Sequence, residues 1–263
     1  MTFAYQTASS VAEASKAALA PDAKLIAGGQ SLLGTIKLGL AMPEALIDLG
    51  ALADLMGIKV EPGKVTIGAM TTHAEVAASA EVQKAIPALA DLAGRIGDRQ
   101  VRNRGTLGGS LANNDPAACY PAGVLGLGAT INTDRRSITA DDFFVGIYTT
   151  ALQEGEIITS VSFPVPAKAG WQKFKQPASR FSLVGVFVSK SLNGEVRVAV
   201  TGAGASGVFR ATAVEQALAA DWSQTATSGV TVSAAELNAD LHGSAEYRAA
   251  LIPVLAGRAV AGS

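Results

Sequence analysis

Cysteine is nearly absent from this chain: Cys119 is the only one. A single thiol excludes an internal disulfide, and it excludes a resident iron–sulfur cluster, which takes about four such ligands. Histidine is almost as scarce. His73 and His242 stand far apart, in no spacing that suits a metal site. There is no excess of positive charge either, with 21 Lys and Arg against 22 Asp and Glu. That balance offers no field for nucleic acid and no basic run for an anionic membrane. No apolar run approaches the roughly 18 residues that a membrane-spanning helix needs. The opening residues, Met1 to Gln6, lack the basic and apolar regions of a secretory leader, so the expected location is cytoplasmic. If the protein does redox chemistry, an organic cofactor has to carry it.

What is present reads as globular. Of 263 residues, 49% are apolar and 16% charged, enough chain for one or two domains with a real core. Ser10-Val11-Ala12-Glu13 fits a capping box that opens a helix. The strand-like Lys24–Ala27 then runs into Gly28-Gly29-Gln30-Ser31, after which Leu32, Leu33, Ile36 and Leu40 repeat with helical spacing. With a further strand at Ala45–Asp48, residues 1–55 read as β-α-β. A hairpin follows, Gly57–Val60 and Val65–Gly68 around Glu61-Pro62-Gly63-Lys64. Helical segments are expected from Thr72 to Gly97, broken near Pro87, and another from Pro116 to Leu127. Strands at Ala129–Thr133 and Ile157–Phe163 close this region at the Pro-rich stretch 164–170. Beyond it, Phe181–Leu192 and Glu195–Thr201 flank Asn193-Gly194, a strong two-residue hairpin signal. Helices near Ala211–Ala220 and Glu246–Val260 complete an α+β tail.

Two glycine loops carry the chemistry. Gly28-Gly29-Gln30-Ser31 lies between a strand and a helix, where backbone N–H groups can converge on an anion. Thr106-Leu107-Gly108-Gly109-Ser110 repeats the recipe, two glycines bracketed by hydroxyls, before the polar Asn113-Asn114-Asp115. Either loop alone is as readily an ordinary turn. Together they can hold a diphosphate with few charged side chains, and Arg102 and Arg104 stand close enough in sequence to add positive potential. A third stretch, Gly202-Ala203-Gly204-Ala205-Ser206-Gly207, matches the dinucleotide fingerprint G-x-G-x-x-G. The fingerprint also needs a parallel strand ending in an acid about 20 residues on. Leu218-Ala219-Ala220 before Asp221 continues a helix instead, so this match is a decoy.

At the two loops the sequence resembles the FAD-binding medium subunit of the carbon monoxide dehydrogenase and xanthine dehydrogenase group. The matching pieces are Ala27-Gly28-Gly29-Gln30-Ser31-Leu32-Leu33 and Gln100 to Ser110, with Gly68-Ala69-Met70-Thr71-Thr72, Asn114-Asp115-Pro116, Phe174-Lys175 and Glu246-Tyr247-Arg248 in support. The resemblance spans essentially the whole chain. It implies an α+β fold of two FAD-binding subdomains (the PCMH type), residues 1–55 and 56–165. A C-terminal domain, 166–263, follows with a three-stranded antiparallel sheet and helices, which demotes the 202–207 stretch to a strand-to-helix turn. It also implies that Ala27, Gly28, Gly29, Gln30, Ser31 and Leu32 hold a noncovalent FAD together with Thr106, Gly108, Gly109 and Ser110, through amides and hydroxyls. Asn114, Asp115, Cys119 and Ile158 join the cofactor-binding set, Lys175 lies near the flavin, and Phe181 can stack on it. Gln30 stands where relatives often have His, Cys119 where many carry Asp, and Phe181 where some place Tyr. His73 is read as a surface or turn residue rather than a point of covalent flavin attachment.

The resemblance divides the labour among three subunits. A large partner carries a molybdenum cofactor and hydroxylates the substrate. A small partner relays electrons through [2Fe–2S] clusters, and this chain passes them to NAD, a quinone or O2, in a heterohexamer built as a dimer of heterotrimers. No catalytic acid–base pair is expected here. Two rivals remain at this stage: a self-contained FAD-dependent oxidase or reductase, and a non-catalytic nucleotide-binding module. The organic substrate would bind elsewhere and leaves no trace in this sequence.

Overall fold

A small parallel sheet opens the computed structural model, which describes residues 3–263. Met1 and Thr2, the start of the stretch read for a leader, lie outside the described residues. The elements are β1 (Ala4–Thr7), α1 (Val11–Ala17), β2 (Ala23–Ile26), α2 (Leu32–Lys37) and β3 (Ala45–Asp48). The strands lie in the order β1-β3-β2, all parallel, with Leu46 and Ile47 of the middle strand buried. The β-α-β expectation therefore gains a first strand, β1, too short and too exposed to show a periodic signal. Ser10 caps α1 by accepting from the Glu13 amide at 3.1 Å. The Glu13 carboxylate returns to the Ser9 amide, one residue earlier than the capping box predicts. Leu40, expected on α2, lies beyond its end, because Gly39 turns the chain at φ +71°.

The middle region is built on an antiparallel sheet. In chain order it contains β4 (Ile58–Glu61), β5 (Lys64–Gly68), α3 (His73–Ala78), α4 (Ala80–Ala85), α5 (Pro87–Gly94), α6 (Arg99–Arg102), α7 (Leu107–Asn113) and α8 (Tyr120–Gly126). β6 (Thr130–Thr133), β7 (Ser137–Thr139), α9 (Ala140–Phe143), β8 (Phe144–Gly146), β9 (Thr149–Thr150) and β10 (Ile158–Pro164) follow. Five strands order as β4-β5-β10-β6-β7, and β8 with β9 forms a separate hairpin. The expected 72–97 helical run is three short helices, because Ser79 ends α3 in an extended conformation and caps α4, and Pro87 starts α5. The helix expected from Pro116 starts at Tyr120. Residues 115–118 form a turn instead, closed by the Asp115 side chain accepting from the Ala117 amide at 2.8 Å.

The last region contains β11 (Lys168–Lys175), β12 (Ser182–Lys190), β13 (Val196–Thr201), β14 (Phe209–Arg210), α10 (Thr212–Ala220) and α11 (Ala245–Ala261). Three long strands pair antiparallel, as the resemblance implied, and the two-residue β14 adds a fourth at the edge. The hairpin at Asn193-Gly194 exists, but Lys190 pairs with Val196, so its loop is residues 191–195 rather than a two-residue turn. Hydrogen bonding passes from one sheet to the next between Pro164 and Lys168.

The hydrophobic core does not respect that change of sheet. Every residue of α8 is buried, and the helix packs on β12 and β13. Close approach is possible because Gly123 and Gly126 face Phe187, where a Cβ on Gly126 would come within 2.9 Å of the ring. Trp171, Phe187 and Ala199 of the last sheet belong to the same buried cluster as Val65, Leu89 and Val161 of the middle region. The 202–207 turn follows an antiparallel hairpin strand and leads into β14 before α10, so no β-α-β crossover exists there. Its work is structural: the Gly202 amide and the Thr201 hydroxyl both donate to Pro116 O and pin the turn that leads into α8. Among the described residues no helix is long and apolar enough to cross a membrane.

Candidate cofactor cleft

The two glycine loops, 77 residues apart at Gly28 and Gly105, meet backbone to backbone. A Cβ placed on Gly28 would lie 1.9 Å from Arg104 O and 2.9 Å from Gly105 Cα. Only glycine permits that approach. Gly109 faces Ala27 across the same seam, with its ideal Cβ 3.5 Å from the alanine methyl. The first loop is held open by Gly29 at φ +73°. Among the described residues, the backbone N–H groups of Gly28, Gly29, Gln30 and Ser31 have no protein acceptor. Ser31 makes no capping bond with its side chain, so its hydroxyl is equally uncommitted.

The second loop is organised differently from the expectation. Its glycines are the first turn of α7, capped by Thr106, which accepts from the Gly109 amide at 3.1 Å. The Leu107 and Gly108 amides donate to Thr71 O and Ala69 O, so they are spent on anchoring the helix to the strand β5 side. What this loop offers to a ligand is the Thr106 and Ser110 hydroxyls and a glycine surface without side chains. The convergence stands, but the free amides come from the first loop.

The seam opens into a cleft of about 560 Å³, within the usual range for a cofactor site. Residues 27–32 form one wall, and Thr106, Gly108, Gly109 and Ser110 another. Asp115, Cys119, Ile158 and Phe181 also line it. Two predicted residues do not. Asn114 is buried behind the wall in a left-handed conformation, and its amide donates to Gly146 O and Thr149 O at 2.8 and 2.9 Å. It holds the β8–β9 hairpin that carries Tyr148 into the cleft. Lys175 is exposed at the end of β11, where the register slips between Phe174 and Lys175. Lys173 takes the place in the cleft wall, with Nζ 3.2 Å from Arg95 O and 3.4 Å from Cys119 Sγ. A pair of lysines two apart on a strand should share a face. The bulge that separates them has no sequence signature.

Neither Arg102 nor Arg104 lines the cleft. Arg102 donates to Ile96 O at 2.6 Å. The reading of His73 also needs correction. It is buried at 5% exposure, its amide donates to Gly105 O, and its ring lies 5.2 Å from that of Tyr120. Burial, with the Arg102 charge adding to it, lowers its pKa to about 4, so it is a neutral ring that lines the cleft beside Gly105. Nδ1 has no partner. Tyr148 sits in the cleft mouth with its phenol pushed above the ordinary value by burial and by the Asp115 charge. Glu156, on the same wall, is held by Arg136, Thr133 and the Gln153 amide, which together bring its carboxyl down to about 2. Among the described residues no cluster of His, Cys, Asp or Glu could hold a metal ion.

The fold and cleft define a class: a chain that grips an extended cofactor between a parallel N-terminal layer and an antiparallel second layer. The residues fit the flavin nucleotide: an open amide cradle and hydroxyls suit the phosphates, and Phe181, Ile158 and Lys173 line the same cleft. Residues 1–166 match the family described as the FAD binding domain in molybdopterin dehydrogenase, and the chain belongs to that family. It is 35% identical to the carbon monoxide dehydrogenase medium chain of Hydrogenophaga pseudoflava, across 98% of this chain and 96% of the relative. It is 37% identical to the nicotine 6-hydroxylase medium subunit of Paenarthrobacter nicotinovorans, across 91% and 89%. The solved structure of the H. pseudoflava carbon monoxide dehydrogenase superposes with a TM-score of 0.89 at 35% identity, covering 99% of this chain and 96% of that one. This chain is accordingly an FAD subunit of the molybdenum-hydroxylase type of oxidoreductase.

Proposed function

We propose that this chain is the electron-delivery subunit of its complex. It would draw electrons from [2Fe–2S] clusters on a small partner and pass them to an external acceptor, while a large molybdopterin-binding partner oxidises the substrate. A dimer of heterotrimers in the cytoplasm belongs to the same reading. The observation that carries it is the seam at Gly28: four uncommitted amides lie in a cleft-lining loop that meets the second glycine loop backbone to backbone. We read that seam as a phosphate grip.

When bound, FAD supplies the exchange between one-electron carriers and a two-electron acceptor. The chain's own residues then have separable jobs. The 28–31 amides and the Ser31, Thr106 and Ser110 hydroxyls hold the phosphates. Phe181, half exposed, and Ile158 offer apolar surface for a ring system. Asp115 and Tyr148 form a polar rim.

The test mixes the FAD-loaded chain with its reduced [2Fe–2S] partner in a stopped-flow instrument. Bleaching of the flavin band at a rate that rises with partner concentration is expected. Purification of the chain without flavin, and no uptake on adding FAD, would overturn the cofactor assignment. Turnover of an organic donor by this chain alone would overturn the electron-relay role.

A further inference from the structure

Lys173 is the one cleft cation whose charge meets a sulfur. Its ammonium donates to Arg95 O and reaches Cys119 Sγ at 3.4 Å, and no described carboxylate pairs with it. Cys119 itself is 5% exposed, with Ser182 Oγ at 3.7 Å as its other polar neighbour. Other charged side chains line the cleft, with Lys24 and Arg180 among the cations and Glu156 held by Arg136. Arg95 is bridged to Asp91, the Tyr120 phenol is buried, and Asp115 turns back to the Ala117 amide. A thiol is a weak acceptor that brings no formal charge while protonated. The position thus gives the lysine a contact with a group that, unlike a carboxylate, carries no obligatory charge.

We propose that Cys119 acts as a neutral positioning partner for Lys173, so that the full ammonium charge bears on the bound flavin and favours its reduced form. The proposal rests on the reading that FAD occupies this cleft. A carboxylate at position 119 would pair with Lys173 and abolish the effect. An asparagine has nearly the same shape without the charge, so the comparison isolates electrostatics from packing.

The experiment measures the flavin midpoint potential by spectroelectrochemistry on the assembled complex, with FAD content determined for each preparation. Cys119→Asp is expected to weaken stabilisation of the two-electron-reduced flavin about tenfold, or roughly 30 mV downward for a two-electron couple. Cys119→Asn and Cys119→Ser should stay within twofold of the starting protein. Lys173→Met should fall like Cys119→Asp, and Lys173→Arg should restore most of the loss. Equal shifts in the Asp and Asn variants, or a rise in potential in Cys119→Ser, would overturn the proposal. If Cys119→Asp does not assemble, the Lys173→Met and Lys173→Arg pair decides, since an unchanged potential in Lys173→Met is equally fatal. Loss of flavin from the unsubstituted complex would instead refute the cofactor site itself, a separate failure seen in the FAD content.

Discussion

At the scale of single residues, the site depends on what is missing from side chains as much as on what they carry. Gly28 is the sharpest case, because the obstacle to a Cβ is the Arg104 carbonyl, a backbone atom that cannot rotate away. Gly28→Ala should therefore push the two loops apart and lower FAD affinity at least tenfold. Gly34, six residues on, has nothing within 4 Å of its ideal Cβ, so Gly34→Ala should leave affinity unchanged. Fluorescence titration of the apo-protein with FAD would compare the two. His73 gives a second residue-scale prediction. Its folded pKa of about 4 lies below the model-peptide value of 6.5, so the unfolded chain takes up the proton first as pH falls. The stability is fully present above about pH 6.5 and is lost as pH drops toward 4. Between pH 7 and pH 5 the loss should be about 2 kcal/mol. Urea denaturation at the two pH values checks this, and a His73→Leu variant should show a flatter dependence.

At the scale of elements, the sequence was readable where a pattern is local and dense. The 61–64 turn and the long helix α11 appear where periodicity and turn residues put them, and the β12–β13 hairpin appears with a longer loop than Asn193-Gly194 implies. The short elements β1, β9, β14 and α6 lack a period and were missed, whereas four-residue strands bounded by turn residues, such as β3 and β4, were read. The glycine loops were recognisable as a pair, but nothing local says that the second is the first turn of a helix. That assignment depends on Ala69 and Thr71 accepting its amides from nearly 40 residues away. Lys173 and Lys175 show the same limit, since the strand was unread and its bulge is set by pairing with β12. Thr106 joins both roles, as the cap of α7 and a cleft hydroxyl. Thr106→Val should cost about 1 kcal/mol of stability from the lost cap. It should weaken FAD binding as well, whereas Thr106→Ser should preserve both. Thermal unfolding with and without FAD separates the two effects.

Across the whole molecule, the division into cofactor-binding and C-terminal regions seen in the strand pairing is not a division of the core. Trp171 and Phe187 stack with centroids 6.3 Å apart and belong to the cluster that includes Leu89 and Val161. Gly170 approaches α11 so closely that a Cβ would lie 2.0 Å from Ala259 O. The last sheet is thus fastened to α8 on one side and α11 on the other, and α8 follows directly on Cys119 in the cleft. Phe187→Ala removes a fully buried ring that both regions share, a change that should cost about 3–5 kcal/mol. Because the core is continuous, the loss should appear as one transition at lower denaturant. Tryptophan fluorescence and flavin release should move together. Two separated transitions, with flavin retained after the fluorescence change, would mean that the cofactor layers stand without the C-terminal sheet and that the shared cluster contributes little to holding the cleft.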